Sequence, residues 1–205
     1  MSSASSSSPA FTPLASIERD VGGEASSVRG LRWLPEFVPP AECARIVAAF
    51  AAAPRAWATT RASDGRYVVD RARRSVRHVQ LPEAVSSSLR ARFRALIPAL
   101  ARAYETSLRD VETPQALVYG PGDGYGLHRD VGAGAMTARR VSAALLLNDD
   151  FDGGQLRLHH NEGGQRLRYE PRVAAGALVL FRPETLHEVT PVTAGSRYAI
   201  VTWYV

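Results

Sequence analysis

The feature that most restricts what this chain can fold into is a change of hydrophobic period near Pro114. Beyond it, apolar residues come in short or alternating runs at Gln115 to Tyr119, Val141 to Leu147, Gln155 to His159, Ala177 to Phe181, His187 to Val192 and Arg197 to Val205. Runs of this kind predict β-strands. The separators are Gly120-Pro121-Gly122-Asp123-Gly124, Asp149-Asp150-Phe151-Asp152-Gly153-Gly154, Asn161-Glu162-Gly163-Gly164 and Thr193-Ala194-Gly195-Ser196, residues suited to tight reversals.

Before Pro114 the period is helical. From Pro40 onward, Cys43, Ile46, Val47 and Phe50 fall on one helix face, with proline in the first turn. Across residues 82–104 the same spacing recurs at Leu89, Phe93, Leu96, Ile97, Leu100 and Tyr104, with Arg90, Arg92 and Arg94 off the stripe, which predicts one support helix. Helices followed by many short strands predict an α+β chain. Its core is a double-stranded β-helix (a jelly roll of the cupin kind), with the N-terminal helices packed outside. A chain of 205 residues supports one such core. The Ser-rich residues 1–14 are expected to form a flexible tail, residues 15–113 a helical support region and residues 114–205 the core of a single catalytic domain spanning 15–205.

Composition removes several function classes. Cys43 is the only cysteine, so neither a disulfide framework nor a Cys-based zinc site is available. No apolar run reaches the length of a membrane span, and the N-terminus lacks a signal-peptide pattern, so a cytoplasmic protein with no membrane partner is expected. The formal charge is +5 and the chain has no lysine. Its arginines, Arg55, Arg61, Arg66, Arg71, Arg73, Arg74 and Arg77 among them, are spread without an aromatic ladder, which argues against a nucleic-acid partner.

The chemistry-bearing pattern is Leu127-His128-Arg129-Asp130. In an extended strand His128 and Asp130 share a face, so they can grip one ion, while Arg129 points away. His187 opens a later strand and can supply a third ligand when the sheet folds on itself. Two imidazoles and a carboxylate on one face of a metal leave positions open, the arrangement of non-haem iron(II) oxygenases, although zinc also accepts such ligands. A His-x-Asp pair alone arises by chance, so neighbouring residues must decide.

The most informative neighbour is Arg197, placed by the turn at 193–196 to run back beside the His187 strand. A buried guanidinium needs an anion, and its planar fork matches a carboxylate, so it can anchor the far end of a dicarboxylate co-substrate. Arg182 and Arg172 are the next candidates for that role. Trp203 shares the Arg197 face of its strand and either walls the pocket or belongs to the core. His159 and His160 are adjacent and face opposite ways, which predicts a hairpin surface and not a second metal site.

Taken together, Tyr119-Gly-Pro-Gly-Asp-Gly-Tyr-Gly-Leu-His-Arg-Asp130, Leu145-Leu-Leu-Asn-Asp-Asp-Phe-Asp-Gly-Gly-Gln-Leu156, Gly176-Ala-Leu-Val-Leu-Phe181 and the run from His187 through Arg197 to Trp203 resemble the prolyl 4-hydroxylase type of 2-oxoglutarate-dependent iron(II) dioxygenases. The resemblance implies iron(II) held by His128, Asp130 and His187, with Arg197 pairing the distal 2-oxoglutarate carboxylate. It also implies a tyrosine bonded to the co-substrate, for which Tyr119 is the match and Tyr125 the rival. The implied reaction consumes 2-oxoglutarate and O2, with ascorbate as a reductant, and releases succinate and CO2 while hydroxylating an unactivated C–H bond. A carboxylate at Asp130 fills the position that related halogenases leave open for halide. Collagen-type members often carry lysine where this chain has Arg197, which points to other branches, and Gln155 stands where the family commonly has Glu. The substrates compatible with this are a small molecule, an amino acid or a prolyl-type peptide, with the lean toward a small molecule or short peptide. The alternatives are a non-catalytic jelly-roll module that binds a metal or ligand, and an oxygenase acting on nucleic acid.

Overall fold

A computed structural model describes residues 30–62, 64–162 and 165–205. The expected tail at 1–14 lies outside these residues. The described chain begins with strand β1 (Arg32–Leu34) and helix α1 (Pro40–Ala52), followed by β2 (Arg55–Trp57), β3 (Thr60–Arg61), β4 (Tyr67–Val68), β5 (Arg74–Ser75) and β6 (Arg77–Val79). Helices α2 (Glu83–Ala95) and α3 (Ile97–Ala103) precede β7 (Gln115–Tyr119) and β8 (Gly124–His128). A 3₁₀ turn at Gly134–Ala138 leads into β9 (Val141–Leu146), β10 (Asp152–Gly153), β11 (Leu156–Glu162) and β12 (Gln165–Tyr169). The chain closes with β13 (Leu178–Phe181), β14 (Leu186–Val189), β15 (Val192–Ala194) and β16 (Arg197–Tyr204).

Two antiparallel sheets face each other, ordered β1-β13-β9-β16-β7-β6-β2 and β12-β11-β14-β8-β5. In the second half β7, β8, β9, β11, β13, β14 and β16 alternate between the two sheets, β12 adding to the small one and β10 pairing with β15 apart, which is the double-stranded β-helix that the short-run pattern predicts. Strand period then divides the side chains. On β16, Ile200 and Tyr204 face outward into a core with Phe50, Phe93 and Leu100 of the helices, and the Tyr204 hydroxyl donates to Phe93 O at 3.0 Å. Arg197, Val201 and Trp203 face inward, into the space between the sheets. On β9, Val141, Ala143 and Leu145 join the helical side. Ser142 and Ala144 line the inner space.

The helical half differs from expectation in two ways. It holds three helices but also six short strands, and β1, β2 and β6 extend the large sheet while β5 extends the small one. Pieces of two or three residues are too short to show a period, so edge pairing, a tertiary effect, decides them. The single helix expected over 82–104 is broken at Leu96. Pro98 has no N–H to continue the ladder from α2, and its ring opens the first turn of α3 instead. The apolar stripe survives the break, because Leu89, Phe93, Leu96, Leu100 and Tyr104 are all buried.

Glycine is required where segments touch. Gly176 sits at φ +88°, and a Cβ there would stand 2.0 Å from Val38 O, on the loop that enters α1. The Val38 N–H donates to Gly176 O at 3.1 Å, so this close approach ties the helical layer to the sheet. No helix among the described residues is long and apolar enough to cross a membrane.

Candidate metal centre

The separator at 120–124 leads into strand β8, which takes up its last residue, Gly124, and ends on the first candidate ligand, His128. β8 pairs with β14 so that His128 lies opposite His187. Residues paired in an antiparallel ladder project from the same face. Asp130 lies just past the end of β8, where its N–H donates to Pro183 O at 2.9 Å. The side chain of Asp130 turns toward the large sheet, and Ser142 Oγ on β9 donates to its Oδ2 at 2.7 Å. Asp123 pins the loop that starts β8. It is buried, accepts from Ser75 Oγ at 2.5 Å and from the Gly120 N–H at 2.9 Å, and pairs with Arg77.

The three groups converge. Asp130 Oδ1 is 3.8 Å from His128 Nε2, and Asp130 Oδ2 is 3.6 Å from His187 Nε2. One ligand atom from each residue lies within 4.8 Å of the others. Each imidazole uses its other nitrogen on a main-chain carbonyl: His128 Nδ1 is 2.9 Å from Gly126 O and His187 Nδ1 is 2.9 Å from Thr185 O. A carbonyl only accepts, so each Nδ1 carries a proton and each Nε2 is the nitrogen left to face the centre. Burial and the neighbouring His187 push the His128 pKa well below the usual imidazole range, which keeps it neutral. Burial works to raise the Asp130 pKa, but His187, His128 and the hydrogen bond from Ser142 outweigh it and hold the carboxyl ionised. Two Nε2 atoms and one carboxylate converging on one point fit a divalent first-row metal.

Arg197 pairs across the large sheet with Tyr119, and its guanidinium lies 5.2 Å from the Tyr119 ring centroid. Burial lowers its pKa, opposed only by Tyr119, and no carboxylate among the described residues forms an ion pair with it. It is 5 % exposed. A buried cation without a counter-ion is costly, so the site is built for an anion. Gly154, at φ +63°, packs over it: a Cβ there would lie 3.1 Å from Arg197 Cδ. Arg197, Tyr119 and Trp203 line the same small cavity, about 50 Å³, as the three candidate ligands. A larger cavity of about 530 Å³, lined in part by Phe151 and Arg172, shares Arg197, Ala144 and Leu156 with it but holds none of the three ligands. Arg172 therefore stands beyond Arg197, and Arg182 is turned aside to donate to Tyr104 O at 3.2 Å.

The other residues singled out in the sequence fall as follows. Tyr125 stacks on His128, with ring centroids 3.5 Å apart, so Tyr119 sits beside the cation and Tyr125 beside the imidazole. Trp203 walls the cavity and lies under the Arg139 guanidinium at 3.6 Å. Arg129 is exposed and donates to Glu184 O, away from the centre. Gln155 is structural: its N–H donates to Thr190 Oγ1, and its own Oε1 accepts from the same hydroxyl, both at 2.9 Å. His159 departs from the expected hairpin surface. β11 lies inside the small sheet, between β12 and β14, and His159 is buried with Nε2 3.1 Å from Glu188 Oε1.

Sequence reasoning missed Ser142 and Arg139. Arg139 makes a two-pronged pair with Glu112, at 2.7 and 2.8 Å, and reaches Asp130 O at 3.2 Å. A serine at an inward position of an otherwise apolar strand was the available signal for Ser142. Arg139 had none.

Residues 114–205 match the 2OG-Fe(II) oxygenase superfamily. Over 91 residues the chain is 38 % identical to a PKHD-type hydroxylase of Synechococcus sp. (strain JA-2-3B'a(2-13)), covering 42 % of this chain and 39 % of that protein. A PKHD-type hydroxylase of Klebsiella pneumoniae is 36 % identical over 102 residues, 46 % of this chain and 44 % of the other. The chain thus spans about two fifths of the length of the curated relatives it matches. Among solved structures, a Pseudomonas putida prolyl-4-hydroxylase superposes with a TM-score of 0.61 at 27 % identity, over 85 % of this chain and 91 % of that one. A Trichoplax adhaerens prolyl hydroxylase, in complex with a hypoxia inducible factor peptide fragment, shares the fold with a TM-score of 0.65 at 19 % identity, over 85 % and 83 % of the two chains.

Proposed function

We propose, from the premise that residues 114–205 belong to the 2OG-Fe(II) oxygenase superfamily, that this chain is a 2-oxoglutarate- and iron(II)-dependent hydroxylase. The observation that carries the reading is the meeting, in one cavity, of two imidazole Nε2 atoms and a carboxylate with a buried guanidinium that has no counter-ion among the described residues. A non-catalytic ligand module has no need for a metal triad with an anion clamp beside it, and the hydroxylase relatives add support against that alternative.

In this reading His128, His187 and Asp130 hold the iron, and Arg197 receives the distal carboxylate of 2-oxoglutarate with Tyr119 alongside. When bound, the iron and co-substrate supply the oxidising chemistry: O2 is reduced, 2-oxoglutarate leaves as succinate and CO2, and one oxygen atom enters a substrate C–H bond. The protein's own residues orient and protect. Ser142 and the main-chain carbonyls fix the ligands' directions, and Trp203, Phe181 and Leu156 line the cavity with surface that excludes water. Asp130 occupies the position a halide would need, which supports hydroxylation. The substrate is a small molecule, an amino acid or a peptide.

We take the described chain from Gly30 onward as one catalytic unit, since β1 is hydrogen-bonded into the large sheet. A reducing, cytoplasmic setting fits a chain whose one cysteine, Cys43, is a buried free thiol. The test is mass spectrometry of substrate panels incubated with the protein, iron(II), 2-oxoglutarate, O2 and ascorbate. Iron-dependent succinate together with an oxygenated product is expected. A folded, iron-loaded protein that forms no succinate with any panel overturns the proposal.

A further inference from the structure

Arg74 is the second cation of the triad cavity, and the chemistry described so far leaves it without a task. It sits on β5, paired with Tyr125 across the ladder, and its guanidinium carbon lies 4.8 Å from the Tyr125 ring centroid. It lines the cavity together with His128, Asp130 and His187. Its protein partners are neutral acceptors or long contacts: Nη1 donates to Thr59 O at 3.0 Å, and Nη2 is 3.4 Å from His78 Nε2. Burial, and then Arg74 itself, push the His78 pKa down to about 4, so that ring accepts as a neutral group. Nε is buried and has no hydrogen-bond partner among the described residues. Nε and Nη2 form one edge of the guanidinium fork, and this is the edge that a carboxylate grips with both oxygens.

Charge makes the same point. The cavity holds two guanidinium cations, Arg74 and Arg197, against one carboxylate, Asp130. Iron(II) and the 2-oxoglutarate dianion cancel each other, so one positive charge is left facing the substrate. Arg197 is matched by the co-substrate, and the surplus sits on Arg74. Arg71 and Arg77 stack on Trp57 nearby, at 4.0 and 4.2 Å, and Arg73 is exposed, so the adjoining surface adds further positive potential.

We propose that Arg74 is a substrate-binding residue, receiving a carboxylate of the substrate on its Nε–Nη2 edge, and that the substrate class is therefore a carboxylate-bearing small molecule, such as a free amino acid or a peptide with its C-terminus near the oxidised carbon. The assignment rests on the functional reading above. A purely structural Arg74, riveted to Tyr125, would affect stability without discriminating between an acid and its amide.

The test uses iron-loaded, 2-oxoglutarate-loaded protein under anaerobic conditions. Binding is measured by calorimetry for acid and amide pairs: L-proline against L-prolinamide, L-leucine against L-leucinamide, and an N-acetylated dipeptide against its C-terminal amide. At least one acid is expected to bind about 30-fold or more tightly than its amide, the loss typical of removing one partner of a desolvated charge pair. Arg74→Gln should erase that preference, and Arg74→Lys should restore part of it. Equal binding of acids and amides, no binding by any panel member, or a preference that survives in Arg74→Gln overturns the assignment. Failure of the functional reading looks different: 2-oxoglutarate then produces no metal-to-ligand charge-transfer absorbance in the wild-type protein, and both proposals fall. With that band present, the outcome of the pairs bears on Arg74 alone.

Discussion

His128 and His187 stand opposite each other across two antiparallel strands, with ring centroids 4.1 Å apart. Asp130 is ionised and faces both rings, and one ligand atom from each of the three residues lies within 4.8 Å of the others. A single shared ion explains all three. Replacing His128, Asp130 or His187 by Ala is therefore expected to abolish stoichiometric iron binding and 2-oxoglutarate turnover while leaving the sheets intact, because the strands are held by main-chain ladders and by a large apolar core on the helical side that these residues do not touch. Iron content and circular dichroism of the purified variants check this. A His187→Ala protein that retains full iron content contradicts it.

Ser142 gives a finer test. Its hydroxyl fixes one oxygen of Asp130 from the opposite sheet, the kind of support whose loss typically costs about 10- to 100-fold in metal affinity. Ser142→Ala should weaken iron binding by that order and change thermal stability little. Equal iron affinity in a competition titration would show that Asp130 is held by its other contacts alone.

Most of the β-core was legible because period two and turn chemistry agree from Gln115 onward, although β12 was not expected and β10 and the end of β11 fall in segments read as turns. The strand at Gln115–Tyr119 coincides with its expected bounds, and Arg197–Tyr204 differs by one residue. β8 was legible only at its end, around His128, since Gly124 was assigned to the turn before it and Gly126 breaks the apolar pattern. A Cβ at Gly124 would lie 3.0 Å from Val189 O, so glycine there serves close strand approach. The site residues that carry unusual side-chain types in a spaced pattern, His128, Asp130, His187 and Arg197, were readable. Ser142 and Arg139 act through hydrogen bonds to Asp130 made between the two sheets and across an irregular connection, and Arg74 reaches the cavity only because a two-residue edge strand pairs with β8. No local period encodes such contacts.

Gly176 tests the join between helices and sheet. An added methyl group would collide with Val38 O and require a positive φ that side-chain-bearing residues disfavour. Gly176→Ala should destabilise the protein by about 2 kcal/mol or more, read as a lower urea midpoint with an unchanged slope. An unchanged midpoint would show that the Val38 loop moves aside freely.

His78 carries a pH signature. Its folded-state pKa of about 4 lies below the ordinary 6.5, because of burial and then Arg74. As pH falls, the unfolded chain takes up the proton first, so the stability linked to this group is complete above about pH 6.5. It is lost progressively down to about pH 4, with no further loss below. His78→Gln should flatten the decline of the urea midpoint within that window relative to wild type. Parallel curves for the two proteins would contradict the assignment.

The central claim is that one cavity pairs an iron site with a clamp for the distal carboxylate of 2-oxoglutarate. Titrating 2-oxoglutarate into iron-loaded protein under anaerobic conditions, and following the metal-to-ligand charge-transfer absorbance, measures both halves at once. In wild-type protein the band should appear and saturate. In Arg197→Ala the midpoint should rise by about 30-fold or more with iron affinity nearly unchanged, and Arg197→Lys should fall between. No band in iron-loaded wild-type protein, or an unchanged midpoint in Arg197→Ala, would contradict the account.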